Sequence, residues 1–210
     1  RKFNTKKVQN MAGLFQVCVK LENLEFNSDN FDTQNVKNMS HMFDNCNSLY
    51  QIDISKFNTA QVKDLSYLFR GCSRLTSIDV SRFDTSQVLD MSVMFDNCNR
   101  ITEIAISGFN TKNVRNMAGM FMDSFPLTSI DLTSFDTSQV TDMSHMFRGL
   151  SSLKELDLNH FDTSKVQDMS YMFCYFSSLE TLKIEKFKTD EVRDMSYMFA
   201  LNRVLEKIDS

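Results

Sequence analysis

The stretch FDTSQVLDMSVMF, residues 83–95, decides the fold because the chain repeats it almost letter for letter. Near-copies are FDTSQVTDMSHMF at residues 135–147 and FDTSKVQDMSYMF at residues 161–173. Spacing between copies is 26 residues, except for one interval of 28 whose extra pair lies between Phe26 and Phe31. Such a strict period indicates a repeat architecture. The first phenylalanine of the unit recurs at Phe3, Phe31, Phe57, Phe83, Phe109, Phe135, Phe161 and Phe187.

Two local patterns alternate within each unit. In LTSIDVSRF, residues 75–83, Ile78 and Val80 flank an outward Asp79, the period of two that is typical of a short strand. The next stretch carries apolar residues that step by three, three, one and three, which favours one face of a helix. These residues are Val88, Met91, Met94, Phe95 and Cys98.

One such coil cannot bury enough apolar surface to fold alone, so the coils have to stack. The predicted fold class is an α/β repeat solenoid, a leucine-rich-repeat-like right-handed coil stack. Short parallel strands form one face and short helices the other. The right hand follows from the general rule for parallel crossovers. Residues 1–210 are predicted to be a single repeat domain of about eight 26-residue coils, with partial units at both ends.

Two polar columns are expected to support this architecture. An Asp or Asn stands just before each predicted helix, as at Asp90, where it can cap the helix by accepting a backbone N–H. A threonine follows each Phe-Asx pair, as at Thr85, where it can close a turn and bond the next coil.

The bulk composition excludes several classes of function. A formal net charge of −4 argues against broad binding to nucleic acid or anionic membrane, which needs a basic surface. No window approaches the roughly 20 consecutive apolar residues of a membrane span. The first 15 residues, RKFNTKKVQNMAGLF, lack the apolar core and cleavage site of a signal peptide.

The sequence offers no constellation for catalysis, so we expect no enzyme and no cofactor. His41 and His145 occupy a variable slot on the outer side of the predicted helices, and no histidine is paired with a nucleophile in a recurring frame. No Gly-rich phosphate loop occurs. Four cysteines share a column whose 26- and 28-residue spacings match no zinc motif. They are predicted to be buried free thiols, with a disulfide or a metal as alternatives: Cys18, Cys46, Cys72 and Cys98.

The outward strand residues are the predicted partner-binding positions, and three interpretations are open. The aspartates bond to flanking serine hydroxyls, or they form an acidic docking face for a protein or glycan, or they collect Ca²⁺. Ala105 and Lys183 interrupt the acidic strip, as a particular binding surface would. The predicted partner-binding residues are Glu25, Asp53, Asp79, Glu103, Asp131, Glu155, Asp157 and Lys183.

The whole unit, FDTSxVxDMSxMFxxCxxLxxIDLS, resembles the roughly 25-residue repeat of bacterial surface proteins from mycoplasmas and lactic acid bacteria. That repeat is similar to the BspA-like leucine-rich repeats. The resemblance covers essentially all 210 residues. It implies an extracellular, cell-surface protein involved in adhesion to a host or to another cell, and it supplies no catalytic residues. Such proteins usually carry a signal or anchor, and this segment has neither.

These observations favour a non-enzymatic interaction module that binds a protein or glycan through its strand face. The alternative is a structural building block that self-associates end to end through its coils, or in a surface layer. No nucleic acid and no membrane insertion of this segment are expected.

Overall fold

The computed structural model describes residues 4–26 and 31–209. Phe3, the two-residue insertion before Phe31 and the outermost residues of the expected partial units lie outside that range. We number the coils from each first phenylalanine. Coil 1 ends at residue 30, and coils 2 to 7 are residues 31–56, 57–82, 83–108, 109–134, 135–160 and 161–186. Coil 8 begins at residue 187.

Five short strands lie on one side of the stack: β1 (Asn23–Glu25), β2 (Gln51–Asp53), β3 (Glu155–Asp157), β4 (Thr181–Lys183) and β5 (Lys207–Asp209). β1 pairs with β2, and β4 lies between β3 and β5, all in parallel. The register joins equivalent positions of successive coils, as in Leu156↔Leu182↔Ile208. This confirms the predicted parallel stacking of coils. The strand segments of coils 3 to 5 are not assigned to any strand, so the sheet is in two pieces.

The predicted helices are wrong: no segment of the described residues is helical. A ladder of turns occupies their place. In coil 2, the N–H groups of Met39, His41, Phe43 and Asn45 donate to carbonyl oxygens of coil 3 at 2.7–3.0 Å. Between them, the N–H groups of Met42 and Asp44 close turns to the carbonyl three residues earlier in their own coil. Every second amide is therefore bonded to the neighbouring coil, whereas a helix would keep all of them within its own segment.

Within the ladder of turns, two positions in each coil, four residues apart, have a left-handed backbone conformation. The chain changes direction at these positions. In coil 2 they hold His41 at φ 56° and Asn45 at φ 58°, and in coil 3 Tyr67 at 59° and Gly71 at 66°. Non-glycine residues adopt this region at a cost, and Asn at a smaller one. Glycine occurs in both columns, at Gly13 and Gly119 in the column of His41 and at Gly71 and Gly149 in the column of Asn45.

Asp and Asn side chains close up to three turns in a period, although Ala105 and Lys183 replace them at one of the three columns. Asp79, Asp84 and Asp90 each accept the backbone N–H of the serine two residues further on, at 3.0, 3.0 and 2.8 Å. The prediction that the column of Asp90 accepts a backbone N–H is confirmed, but the bond closes an Asx-turn rather than capping a helix. The Asx columns therefore mark the corners of each coil.

The threonine column ties neighbouring coils together, as predicted. Thr85 Oγ1 donates to the Asn110 carbonyl at 3.1 Å and accepts the Asn110 N–H at 2.8 Å. Its partner is the residue before the threonine of the next coil rather than that threonine itself. Both groups of Asn110 are thus satisfied by one buried hydroxyl.

The core runs the length of the stack as ladders of equivalent side chains. Phe69, Phe95 and Phe121 are fully buried, with adjacent ring centroids 6.0 Å apart and planes 6–12° from parallel. The equivalent rings extend this stack from Phe15 to Phe199. The predicted inward columns of Val, Met and Leu or Ile are buried beside them in the inner coils. The repeated phrase is therefore the cross-section of this core.

All five cysteines are free thiols. Of the four predicted to be buried, Cys46, Cys72 and Cys98 are buried, and Cys18 is half-buried. Their column is more than a small apolar position. Cys72 Sγ donates to the Phe43 carbonyl at 3.2 Å, and in coil 5 the hydroxyl of Ser124 donates to Phe95 O at 2.6 Å. Three of the coils that carry a cysteine here thus use it as a compact hydrogen-bond donor to the preceding coil.

Candidate partner-binding face

All eight residues predicted to bind a partner lie on the strand side of the stack. Seven are exposed and Lys183 is half-buried. Paired strands bring equivalent positions side by side, so that Glu25 lies next to Asp53 and Asp157 next to Lys183. Whether these residues bind a partner stays a prediction.

The aspartates of this face are bonded within their own coils. Asp79 Oδ1 accepts the Ser81 hydroxyl at 2.6 Å, and Asp131 Oδ1 accepts the Thr133 hydroxyl at 2.6 Å. These hydroxyl bonds, with the backbone N–H of the same residues, lower the pKa of both carboxyl groups. The interpretation that the aspartates bond to flanking hydroxyls is confirmed at Asp79 and Asp131, whereas Asp157 accepts the backbone N–H of Asn159 instead. Each of these carboxylates uses only one oxygen in these bonds, so the second oxygen remains available to a ligand.

Lys183 places a positive charge among the carboxylates of this face, so the face is not uniformly acidic. Its Nζ lies 2.8 Å from Glu155 Oε1 and 3.4 Å from Asp157 Oδ2. Because these side chains are substantially exposed, the two ion pairs add little to stability. Glu155 and Asp157 also line a groove on the strand side.

A groove of about 590 Å³ opens on the strand side between coils 5 and 6. We call it the strand groove. Its floor is apolar, from Ile130, Leu132 and Leu156. Three of the predicted residues stand along it, namely Asp131, Glu155 and Asp157, together with Thr133, Asn159, His160 and Lys186. An apolar floor beside a few convergent polar groups is typical of a binding site.

The strand groove lies where the sheet is interrupted. No backbone hydrogen bond joins residues 128–132 of coil 5 to residues 154–158 of coil 6, whereas Leu158 N–H bonds forward to the Lys183 carbonyl of coil 7 at 2.9 Å. Across the same pair of coils the turn ladder is complete, as between Met117 N–H and Asp142 O at 3.0 Å. The two coils are therefore held together on the turn side and separated on the strand side.

Three groove residues were missed by the sequence reasoning as binding positions. His160 Nε2 lies 2.9 Å from the Leu132 carbonyl and so spans from coil 6 to coil 5. Asn159 Oδ1 is buried and has no hydrogen-bond partner among the described residues. Lys186 adds a positive charge at the rim. All three fall in variable columns at the end of the strand segment, so nothing in the repeat pattern distinguished them.

Two further features concern the class of site. Within residues 4–26 and 31–209, no three His, Cys, Asp or Glu side chains converge as a metal site would require. In the same ranges no helix has the length and apolar character to cross a membrane.

Comparison with known proteins gives one positive result. The model of a family described as "Mycoplasma protein of unknown function, DUF285" matches residues 1–100, 64–155 and 151–209, in overlapping segments that follow the repeats. Searches of curated proteins and of solved structures return no match.

Proposed function

The chain belongs to the DUF285 family of mycoplasma proteins, and on that premise we propose that it is a non-enzymatic cell-surface module that binds a protein or glycan through its strand face. The strand groove carries this proposal. Its apolar floor supplies contact area, and the carboxylates of Asp131, Glu155 and Asp157 supply orientation. A partner segment that pairs an apolar side chain with a Lys, an Arg or several hydroxyl groups complements it.

The proposal extends to the finer relationships that the sequence suggests. We propose that the protein lies at the extracellular surface, that its coil stack is right-handed, and that it is related to the BspA-like leucine-rich repeats. Support comes from the repeat unit itself and from parallel strands in register. The surface location agrees with a rigid array that displays many variable side chains on one face.

The proposal is tested by binding of the purified chain to the surface of cultured host cells. Asp131→Lys and Asp157→Lys reverse charges in the strand groove, and each is expected to weaken binding at least tenfold. Asp79→Lys is the matched control. Asp79 has the same hydroxyl bond on the same face but lies outside the groove. Equal binding by all three variants would contradict the assignment to the groove.

Self-association is the second candidate, and exposed apolar side chains on the end coils favour it. Leu14 is 39 % exposed in coil 1 and Met195 is 44 % exposed in coil 8, whereas their equivalents Met42 and Met169 in inner coils are fully buried. Coil-on-coil stacking would bury both faces. Sedimentation over a concentration series, with Ca²⁺ and with chelator, tests this candidate. A monomer at every concentration contradicts it, whereas association only with Ca²⁺ would point to the acidic strip.

A further inference from the structure

A second polar feature lies on the turn side, at a motif that the repeat does not require. The hexapeptide MFDNCN occurs at residues 42–47 and again at 94–99, two coils apart. Between them coil 3 carries LFRGCS at residues 68–73. Two identical segments therefore flank a different one in three successive coils.

These three coils enclose a cavity of about 260 Å³, which we call the amide pocket. Apart from Gly71, every lining residue has a hydrogen-bonding side chain. The lining residues are Asn45, Asn47, Arg70, Gly71, Ser73, Asn97 and Asn99. Its volume falls just below the range of drug-sized ligand pockets, so a ligand of one ring fits it.

The fold does not depend on these amides. The column of Asn45 and Asn97 holds Val17, Tyr175 and Leu201 in other coils. The column of Asn47 and Asn99 likewise holds Val19 and Phe125. Since apolar side chains suffice there, the convergence of four asparagines is a local specialisation of coils 2 to 4.

A buried charge arrangement fixes the floor of the amide pocket. Arg70 Nε lies 3.5 Å from Asp96 Oδ2, and its Nη1 lies 4.0 Å from Asp44 Oδ1. Both carboxylates are almost wholly buried, and the face of Tyr67 holds the guanidinium at 5.5 Å. Two buried carboxylates around one cation are costly to desolvate. They attract the guanidinium of Arg70, whose side chain is 42 % exposed, to the space between the two asparagine pairs.

Hydrogen-bonding capacity remains free around the cavity. Asn45 Nδ2 donates to Asp44 Oδ1 at 2.8 Å, and Asn97 Nδ2 donates to Asp96 Oδ1 at 3.2 Å. Each of these amides has a second hydrogen to offer, and Asn45 Oδ1 and Ser73 Oγ have no hydrogen-bond partner among the described residues. Asn99 Nδ2 donates to Asn97 Oδ1 at 3.5 Å, but both donors and acceptors remain free around the opening.

The charge balance selects the ligand class. Asp44, Arg70 and Asp96 sum to between zero and −1, which disfavours an anion, and the central guanidinium disfavours a cation. A mixture of free donors and acceptors complements neighbouring hydroxyl groups, each of which both donates and accepts. We propose that the amide pocket binds a neutral, polyhydroxylated ring, that is, a single sugar unit, free or at the end of a glycan. This site is separate from the strand groove.

The test uses the intact chain and the side-chain amide signals of ¹⁵N-labelled protein. Glucose, galactose and N-acetylglucosamine are titrated to about 50 mM, beyond the millimolar Kd expected of a small polar ligand. Saturable shifts confined to Asn45, Asn97 and Asn99 are expected with at least one of them. No shift of these signals with any of the three sugars would overturn the proposal. An oligosaccharide that ends in the sugar that binds then separates the two sources of the ligand. Tighter binding than that of the single sugar indicates the end of a glycan, and equal binding indicates a free sugar.

The decisive variants remove amides without disturbing the backbone. Asn45 and Asn97 have φ of 58° and 57°, and glycine already serves that column at Gly71. Asn45→Gly with Asn97→Gly is therefore expected to fold and to bind at least tenfold more weakly. Tyr175→Gly makes the same change in the same column at φ 70°, outside the amide pocket, and should bind as the unaltered chain does. Undiminished binding by the double variant would overturn the proposal, and Asp131→Lys should leave sugar binding unchanged whatever its effect on cell binding.

Discussion

Replacing Thr85 by valine tests the threonine ladder directly. Thr85 is buried, with 1 % of its surface exposed, and its hydroxyl satisfies both the N–H and the C=O of Asn110. Valine has the same shape without the hydroxyl. It leaves two backbone groups of Asn110 unsatisfied, at about 1–3 kcal/mol each, partly offset by the gain in apolar surface. We expect Thr85→Val to lower the free energy of unfolding by about 2–4 kcal/mol.

The assay is urea unfolding followed by circular dichroism, with the midpoint read at a constant slope. Thr85→Ser keeps the hydroxyl and should lose about 1 kcal/mol for its missing methyl group. Thr189→Val is the matched control, since Thr189 is exposed and its hydroxyl has no hydrogen-bond partner among the described residues. It should change stability by less than about 0.5 kcal/mol. If Thr85→Val costs no more than Thr189→Val, the hydroxyl does not join the coils as the structure indicates.

Three further predictions follow from burial. Phe95→Ala should lower the free energy of unfolding by about 3–5 kcal/mol in the same assay, and the half-buried Phe199→Ala by clearly less; equal losses would contradict a continuous ring stack. Burial raises the pKa of Cys72 and Cys98, so iodoacetamide at pH 8 should modify them only as fast as the protein unfolds. The rate is followed by peptide mass spectrometry, and modification at the rate of a free thiol would contradict their burial. Burial also raises the pKa of Asp96 from 3.8 to about 6, so its contribution to stability is complete below pH 3.8 and is lost as the pH rises through 6. Asp96→Asn should remove this pH-dependent part of the stability, which is worth about 3 kcal/mol. It is measured as the difference between the stability–pH curves of the variant and the unaltered chain, and parallel curves would contradict the raised pKa.

The sequence predicted the period, the parallel stacking and the inward columns because each depends only on which side chains recur. Val88, Met91, Met94 and Phe95 point inward in a helix and in a ladder of turns alike, so their spacing could not separate the two. The distinguishing signal was present in the outward residues. Four of the five glycines, and Asn45 and Asn97, fall in two columns four residues apart, where the backbone is left-handed. A helix excludes that conformation.

The candidate sites were predictable to a smaller degree. The strand-side residues follow from the period of two, which places Asp131 and Asp157 outward. The strand groove itself depends on where the hydrogen bonds between coils stop. The residues do not predict this, because Leu24 and Ile52, which are equivalent to Ile130 and Leu156, lie in coils that stay paired. The amide pocket depends on residues two coils apart in combination. Neither feature is visible in any single repeat unit.

The charge sequence across coils 2 to 4 restricts how such an array changes length. Genes built from near-identical units lose and gain whole units by unequal recombination, and a loss of 26 residues keeps every core column in register. Loss of residues 57–82 would nevertheless place coil 2 directly on coil 4. Asp44 would then face Asp96 in the interior with Arg70 gone, two like charges with no cation between them. Geometry permits the removal of an inner coil, but electrostatics opposes the removal of coil 3 unless Asp44 or Asp96 also changes.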